Sequence, residues 1–363
     1  MALRNILPSH RDDISPSREQ REPTRSKKPS TAPQHSGHHP SHGKHVRRTR
    51  SGLTLISHDW HNPAVAALAE FSGTFMFLFF AFGGTTVANN STQASSTNGT
   101  NGIPQAPNVD LLLYISLIFG FSLMINVWIF FRVSGGLFNP AVTLGLFLIK
   151  SISPSRAILC FISQILAGMA AAGVVSAILP GPLSVSTTLG NGVSVTRGVF
   201  LEMFLTSLLV FTVFMLAAEK HKATYLAPVG IGIALFVAEL VGVFYTGGSL
   251  NPARSFGPCV VTRNFPGYHY IYWVGPLMGT LLAFGMYKIV KAVDYETVNP
   301  GQDFDDHEAA LFNPPENPDD PEQVRRPVVP PISPTLMSPV TQHSDISGEK
   351  KSSDNGEGSG TRG

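Results

Sequence analysis

The chain has 363 residues, 43% of them hydrophobic and only 14% charged, with a mean hydropathy of +0.13. Soluble domains carry about 25% charge, so the composition argues against an ordinary cytosolic enzyme and for a membrane protein. The net charge of +2 sums a basic N-terminus (Lys27, Lys28, Arg47, Arg48, Arg50) and an acidic C-terminus (Asp303, Asp305, Asp306, Glu308, Asp319, Asp320, Glu322), and two cysteines, Cys160 and Cys259, make neither a disulfide framework nor a multi-cysteine metal site.

Residues 1–58 are rich in Ser, Pro, His, Arg and Lys, bury too little apolar surface to offset chain entropy, and read as a disordered basic tail. They lack the apolar core of a signal peptide. The histidines at 35, 38, 39, 42 and 45 read as part of this flexible arm rather than as a metal site. The stretch Arg47-Arg48-Thr49-Arg50-Ser51 would suit anionic lipid or a kinase, and an arm of this length could fold back over the apolar body.

Residues 59–292 hold six apolar segments of spanning length, at 64–88, 111–131, 157–179, 198–218, 224–244 and 269–290. Six spans place both termini on one side. The N-terminal tail, Lys150, Arg156, the Lys220-His221-Lys222 turn, Lys288 and Lys291 all fall on that side, which is therefore expected to be cytoplasmic. The loop at 89–110 then faces outward, where Asn89, Asn90 and Asn98 open Asn-x-Ser/Thr glycosylation patterns. Residues 293–363 read as a disordered acidic tail.

Two further apolar segments, 139–150 and 251–261, would make helices of only ~16 Å, half of a bilayer core. They open alike, Ser134-Gly135-Gly136-Leu137-Phe138-Asn139-Pro140-Ala141 against Thr246-Gly247-Gly248-Ser249-Leu250-Asn251-Pro252-Ala253. In each, Asn suits an N-cap, and Pro at the first helical position loses only an N–H that had no partner. Three spans separate the copies, so the second half is inverted, the half-helices enter from opposite faces, and their N-termini meet near the midplane. Irregular backbone at that depth must be buried in protein or line a watery cavity. Two positive dipole ends and two amide donors at one point would repel cations and offer hydrogen bonds to a neutral solute.

These paired Asn-Pro-Ala half-helices make the chain resemble an aquaporin of the major intrinsic protein family over residues 64–291. The resemblance implies an all-α membrane protein of six transmembrane helices plus two re-entrant half-helices in an inverted repeat. It implies a passive water channel that excludes protons and ions, is not an enzyme, and assembles as a homotetramer in a lipid bilayer, the plasma membrane being the expected one. No cofactor, metal or nucleic acid is implied. Channels of this family select by pore diameter, lining donors and half-helix dipoles, which is general knowledge of such pores. By the same resemblance Asn139 and Asn251 donate to a passing water, Glu70 and Glu202 brace the re-entrant loops, and Gln164 does likewise. Gly73, Gly168, Gly173 and Gly279 read as close-packing positions between helices.

The resemblance also places a selectivity filter at Phe119, Glu239, Gly248 and Arg254, where water-selective members usually carry His in place of Glu239. A carboxylate there is expected to ionise and pair with Arg254, or else to turn away onto loop backbone. Ser255 after Arg254, and Tyr272-Trp273, resemble the water-selective branch. Gly248, which leaves the constriction less filled, Leu137 and Cys259 depart from it and keep hydrogen peroxide or glycerol open as solutes. A secondary transporter should show more intramembrane charges than Glu70, Glu202, Glu239 and Arg254, and a non-conducting role leaves the repeat unexplained.

Overall fold

In the computed structural model the described residues are 58–96, 108–190, 192–219, 222–299, 301–304 and 306–312. The basic arm with its histidines and Ser51, the turn residues Lys220 and His221, and Asn98 lie outside them. Among the described residues all regular structure is helical: α1 His58–Ser96, α2 Val109–Phe130, α3 Pro140–Leu148, α4 Pro154–Ile178, α5 Val195–Val213, α6 Ala227–Thr246, α7 Pro252–Thr262, α8 Ile271–Ala292 and the short α9 Asp306–Leu311. Six helices, all but α3, α7 and α9, are long and apolar enough to cross a membrane.

The helix ends follow local chemistry. Asn108, Ser153 and Ser194 are extended and accept from the backbone N–H three residues on, capping α2, α4 and α5. α6 ends on Gly247 in the left-handed region, where a side chain would be strained. α5 continues into a π-helical turn at Phe214–Ala218, and α1 runs to Ser96, past the expected end at residue 88. Asn89 and Asn90 are therefore helical, and their amides donate to Ser184 O (2.7 Å) and Pro180 O (3.4 Å) in the loop after α4.

The packing repeats between halves. α1 packs on α2 and α4 as α5 packs on α6 and α8, while α2 meets α6 between the halves. At that crossing a Cβ on Gly120 would lie 2.9 Å from Gly232 O, and one on Gly232 would lie 2.8 Å from Gly120 O, so neither helix tolerates a side chain. Each half-helix packs against the last span of the opposite half, α3 on α8 and α7 on α4. In the latter contact a Cβ on Gly168 would lie 2.5 Å from Ala253 O, and one on Gly257 would collide with the Gly168 carbonyl. Small residues at such crossings are how helices approach in lipid, where no hydrophobic force drives them together. Gly73 and Gly279 are equally tight, against Phe138 and the Met203 carbonyl, but Gly173 is not: its nearest neighbour would be Val261 at 3.9 Å, an ordinary contact. Polarity is inside out, with Leu68, Phe80, Phe121, Trp128, Ile158 and Phe204 exposed on the spans while Glu70, Glu202, Glu239 and Arg254 are buried.

Among the described residues regular structure continues past residue 292, where the expected acidic tail begins. A 3₁₀ turn at Tyr295–Thr297 and α9 follow α8, and Phe304 and Glu308 are buried. Glu219, just past α5, accepts from the hydroxyls of Tyr287 and Tyr295 (the latter 3.2 Å) and pairs with Lys291 at 3.0 Å, which also pairs with Glu296 at 2.8 Å. Burial alone would raise the Glu219 pKa, but hydrogen bonds from Tyr287 and Lys291 outweigh it and hold the carboxyl below its ordinary value. The Tyr295 hydroxyl is pushed up to about 12 by burial and by the Glu219 charge.

Two outcomes follow from this packing. Gly257→Ala is expected to lower stability by about 1–3 kcal/mol, because its neighbour is backbone, seen as a lower thermal midpoint in detergent. The Glu219 contribution is intact above the usual carboxylate pKa and lost as the pH falls through its lower folded value. Amide protection factors at Tyr295–Thr297 should fall in that acid range, and Glu219→Gln should show the lower protection already at neutral pH.

Candidate functional site

The two re-entrant loops follow one backbone path. Gly135, Gly136 and Phe138 have φ of +88°, +65° and +50°; Gly247, Gly248 and Leu250 have +82°, +59° and +52°. A left-handed conformation at Phe138 and Leu250 costs of order 1–3 kcal/mol each and persists only where surroundings enforce it. The enforcing groups are two buried carboxylates. Glu70 accepts from Leu137 N (3.0 Å) and Phe138 N (2.7 Å), and Glu202 accepts from Ser249 N (3.0 Å) and Leu250 N (2.9 Å). Each carboxylate is held in turn: Gln164 Nε2 donates to Glu70 (2.8 Å) and Thr143 (2.8 Å), and the Thr246 hydroxyl donates to Glu202 (2.6 Å). Thr246 was not legible as a partner, because nothing in its local sequence points to Glu202.

The loops deliver Asn139 and Asn251 to one place with their atoms assigned. Asn139 Oδ1 accepts from Ala141 N at 2.8 Å, and Asn251 Oδ1 accepts from Ala253 N at 2.9 Å, the N-caps of α3 and α7. Pro140 and Pro252 occupy the first helical positions. Each Nδ2 crosses to the other loop: Asn139 donates to Leu250 O and Asn251 to Phe138 O, both at 2.9 Å. An amide nitrogen has two hydrogens, so one N–H on each Asn remains for the cavity that both residues line. Apart from these, that cavity is walled largely by Phe77, Leu123, Val142, Leu209, Ile231 and Leu235.

Arg254 lines both this cavity and a second one bounded by Asn89, Ser184, Val185 and Thr188. Its guanidinium donates to Gly248 O (3.0 Å), Val185 O (2.5 Å) and Gly247 O (3.3 Å), and it lies over the rings of Phe119 (4.9 Å) and Phe82 (5.5 Å). Carbonyls and aromatic faces replace a counter-ion. Phe82 and Val185 were not singled out from sequence: the first is one aromatic among many in an apolar span, and the second contributes a carbonyl, which any residue could supply.

Glu239 departs from both readings made of it. Among the described residues it makes no ion pair with Arg254 and no bond to loop backbone: it is 1% exposed, and neither carboxylate oxygen has a hydrogen-bond partner. Arg254 has already committed three donors to carbonyls that the loops hold in place. Glu239 lines the cavity beside Arg254, and its carboxyl occupies the space where a side chain on Gly248 would sit, so that even a Cβ there would collide with Oε2. The expectation that Gly248 leaves the constriction less filled is thereby corrected: the glycine is the room the carboxylate needs. Ser255 bonds Ser249 at 2.6 Å and Thr187 at 2.9 Å, and the Tyr272 hydroxyl donates to Thr246 O at 2.8 Å, so these residues fix the second loop rather than face the solute.

Replacing Glu202 by Gln puts an N–H₂ group against a backbone N–H that now has an acceptor. The variant is expected to lose about 1–3 kcal/mol of stability and most of its solute flux, measured by thermal unfolding in detergent and by vesicle permeability.

Residues 58–287 match the family model described as Major intrinsic protein. The chain is 58% identical over 242 residues to Aquaporin-7 of Botryotinia fuckeliana, covering 67% of this chain and 53% of that protein. It is 55% identical over 264 residues to Probable aquaporin-5 of Gibberella zeae, covering 73% and 48%. The chain thus spans about half the length of these relatives. Its fold is similar to the X-ray structure of the aquaglyceroporin from Plasmodium falciparum, with a TM-score of 0.53, 21% identity, and coverage of 64% of this chain and 99% of that one. With the family model spanning most of the chain and the inverted pair of half-helices in place, this integral membrane protein belongs to the major intrinsic protein family.

Proposed function

We propose that the chain is a passive, water-selective channel that excludes protons and ions. The observation that carries this reading is the crossed asparagine pair. A water oxygen accepting the remaining N–H of Asn139 and of Asn251 has its own hydrogens turned along an apolar wall, so it cannot accept a proton from one neighbour while passing one to the next. The N-termini of α3 and α7 add positive dipole ends at the same point, and Arg254 adds a full charge at the outer end.

Glu70, Gln164 and Glu202 act in this reading as loop braces, and Phe119, Arg254, Glu239 and Gly248 as the filter. Ser255 after Arg254 and the Tyr272-Trp273 pair, which resemble the water-selective branch, support the choice of water. Lys150, Arg156, Lys222, Lys288 and Lys291 support cytoplasmic termini. The plasma membrane, a homotetramer with one pore per subunit, and glycan at Asn90 or Asn98 belong to the same proposal, although an attached sugar would displace the Asn90 contact to Pro180. Hydrogen peroxide is the second solute, supported by Leu137 and Cys259, which depart from the water-selective branch.

Proteoliposomes holding the purified chain should shrink several-fold faster than protein-free vesicles under an osmotic step with no ion gradient, and should show no added proton or cation conductance. Arg254→Val should introduce such conductance, because it removes the outer charge. A requirement for an ion gradient in the wild type would instead indicate a coupled transporter.

A further inference from the structure

Arg156 reads from sequence only as one of several cations on the expected cytoplasmic side, a role that Lys150, Lys222 and Lys288 share. That role does not account for its position. Arg156 is the third residue of α4, where the positive end of the helix dipole disfavours a cation, and its Nε–H is buried with no hydrogen-bond partner. Against those costs stands one short bond, from Arg156 Nη2 to Ser134 O at 2.7 Å, at the entrance of the first re-entrant loop. Ser134 is itself fully buried, and its hydroxyl accepts from the N–H of Gly136 at 3.3 Å, a residue that lines the cavity.

The second half repeats the contact with different chemistry. Ser134 stands five residues before Asn139, and Thr246 stands five before Asn251. The Thr246 carbonyl accepts from the Tyr272 hydroxyl at 2.8 Å, and Tyr272 in α8, like Arg156 in α4, belongs to the span that follows its half-helix. One carbonyl held at the same point of both loops by donors of unlike type marks a requirement of the loop rather than of either donor. The reason lies in the glycine pair that follows it. Gly135 with Gly136, and Gly247 with Gly248, take left-handed φ with no side chain to restrain them, so a loop fixed only by its glutamate and its Asn cap is free to swing at its entrance. We propose that Arg156 is a positioning residue for conduction: by holding Ser134 O it keeps the first loop at the depth where Asn139 crosses to Leu250 O, as Tyr272 does for the crossing of Asn251 to Phe138 O. This assignment rests on the channel reading above.

The test uses the full chain in proteoliposomes, with water flux read from light scattering and proton entry from an enclosed pH-sensitive dye, each corrected for protein-free vesicles. Arg156→Met keeps a long side chain but removes every donor. It should lower water permeability by about tenfold, the scale of one lost charge-assisted hydrogen bond, and raise the ratio of proton to water permeability. A mere shortage of folded channels would lower both fluxes together and leave that ratio unchanged. Arg156→Lys, which can still donate to the carbonyl, should recover most of the loss in both readings. Arg156→Gln, whose shorter side chain draws its donor back from Ser134, should behave like Arg156→Met and serves if that variant fails to fold. Tyr272→Phe removes a neutral donor and should raise the same ratio with a smaller fall in water flux. An unchanged ratio in the folded Arg156 variants, or a loss that Arg156→Lys shares in full, overturns the role of Arg156, and a ratio indifferent to Tyr272→Phe overturns the equivalence of the two halves. A wild type that passes no water overturns the channel reading itself, and this assignment with it.

Discussion

Two polypeptide loops stop half way across an apolar layer, and their unpaired backbone N–H groups must be satisfied there without bulk water. The interaction that solves this is the acceptance of two consecutive N–H groups by one buried carboxylate, Glu70 in the first half and Glu202 in the second. Each N–H group meets its own carboxyl oxygen, whereas glutamine, of similar size, would bring only one oxygen to the pair. Once the N–H groups of Phe138 and Leu250 are held in the left-handed region, their carbonyls turn toward the opposite loop and receive the crossing amides of Asn251 and Asn139. The orientation of both asparagines, and with it the direction in which each spare N–H points, depends on those two carboxylates.

The same constraint explains how charge is distributed over the rest of the body. Carbonyls of the glycine-rich loop that Glu202 positions, Gly247 and Gly248, become ligands for the Arg254 guanidinium, with Val185 from the loop after α4. Arg254 therefore needs no acidic partner. Glu239 is left free of it, seated over a glycine that cannot carry a side chain. A cation satisfied by carbonyls beside a carboxyl with no hydrogen-bond partner among the described residues makes this constriction polar. The tight helix crossings at Gly120 with Gly232 and at Gly168 with Gly257 hold this geometry, since closely packed backbones leave the half-helices little freedom to shift.

Much of the fold was legible because lipid imposes simple rules on sequence. Spanning length picked out the six long helices, and the repeated Gly-Gly-x-x-Asn-Pro-Ala stretches on segments too short to cross located the half-helices. Boundaries were less legible. α1 continues past Asn90 because the side chains of Asn89 and Asn90 find carbonyls in the loop after α4, and the chain beyond residue 292 is ordered where Glu219 gathers Tyr287, Lys291 and Tyr295. Both depend on contacts between residues far apart in the chain.

By itself the sequence determined the membrane body, its inverted duplication and the residues placed at the midplane, since each follows from local composition, spacing and helix-capping chemistry. Only the tertiary structure decided what those residues do to one another. The partner of Arg254 is a set of main-chain carbonyls, which carry no signature in the sequence, so pairing with Glu239 was the natural expectation from charge alone. Glycine at 248 read as an opening because an absent side chain suggests empty volume, whereas the fold fills that volume from α6 with a carboxylate. Charge and size belong to single residues and can be read along a chain; which space a side chain occupies, and which donors are already committed, are settled only when distant segments come together.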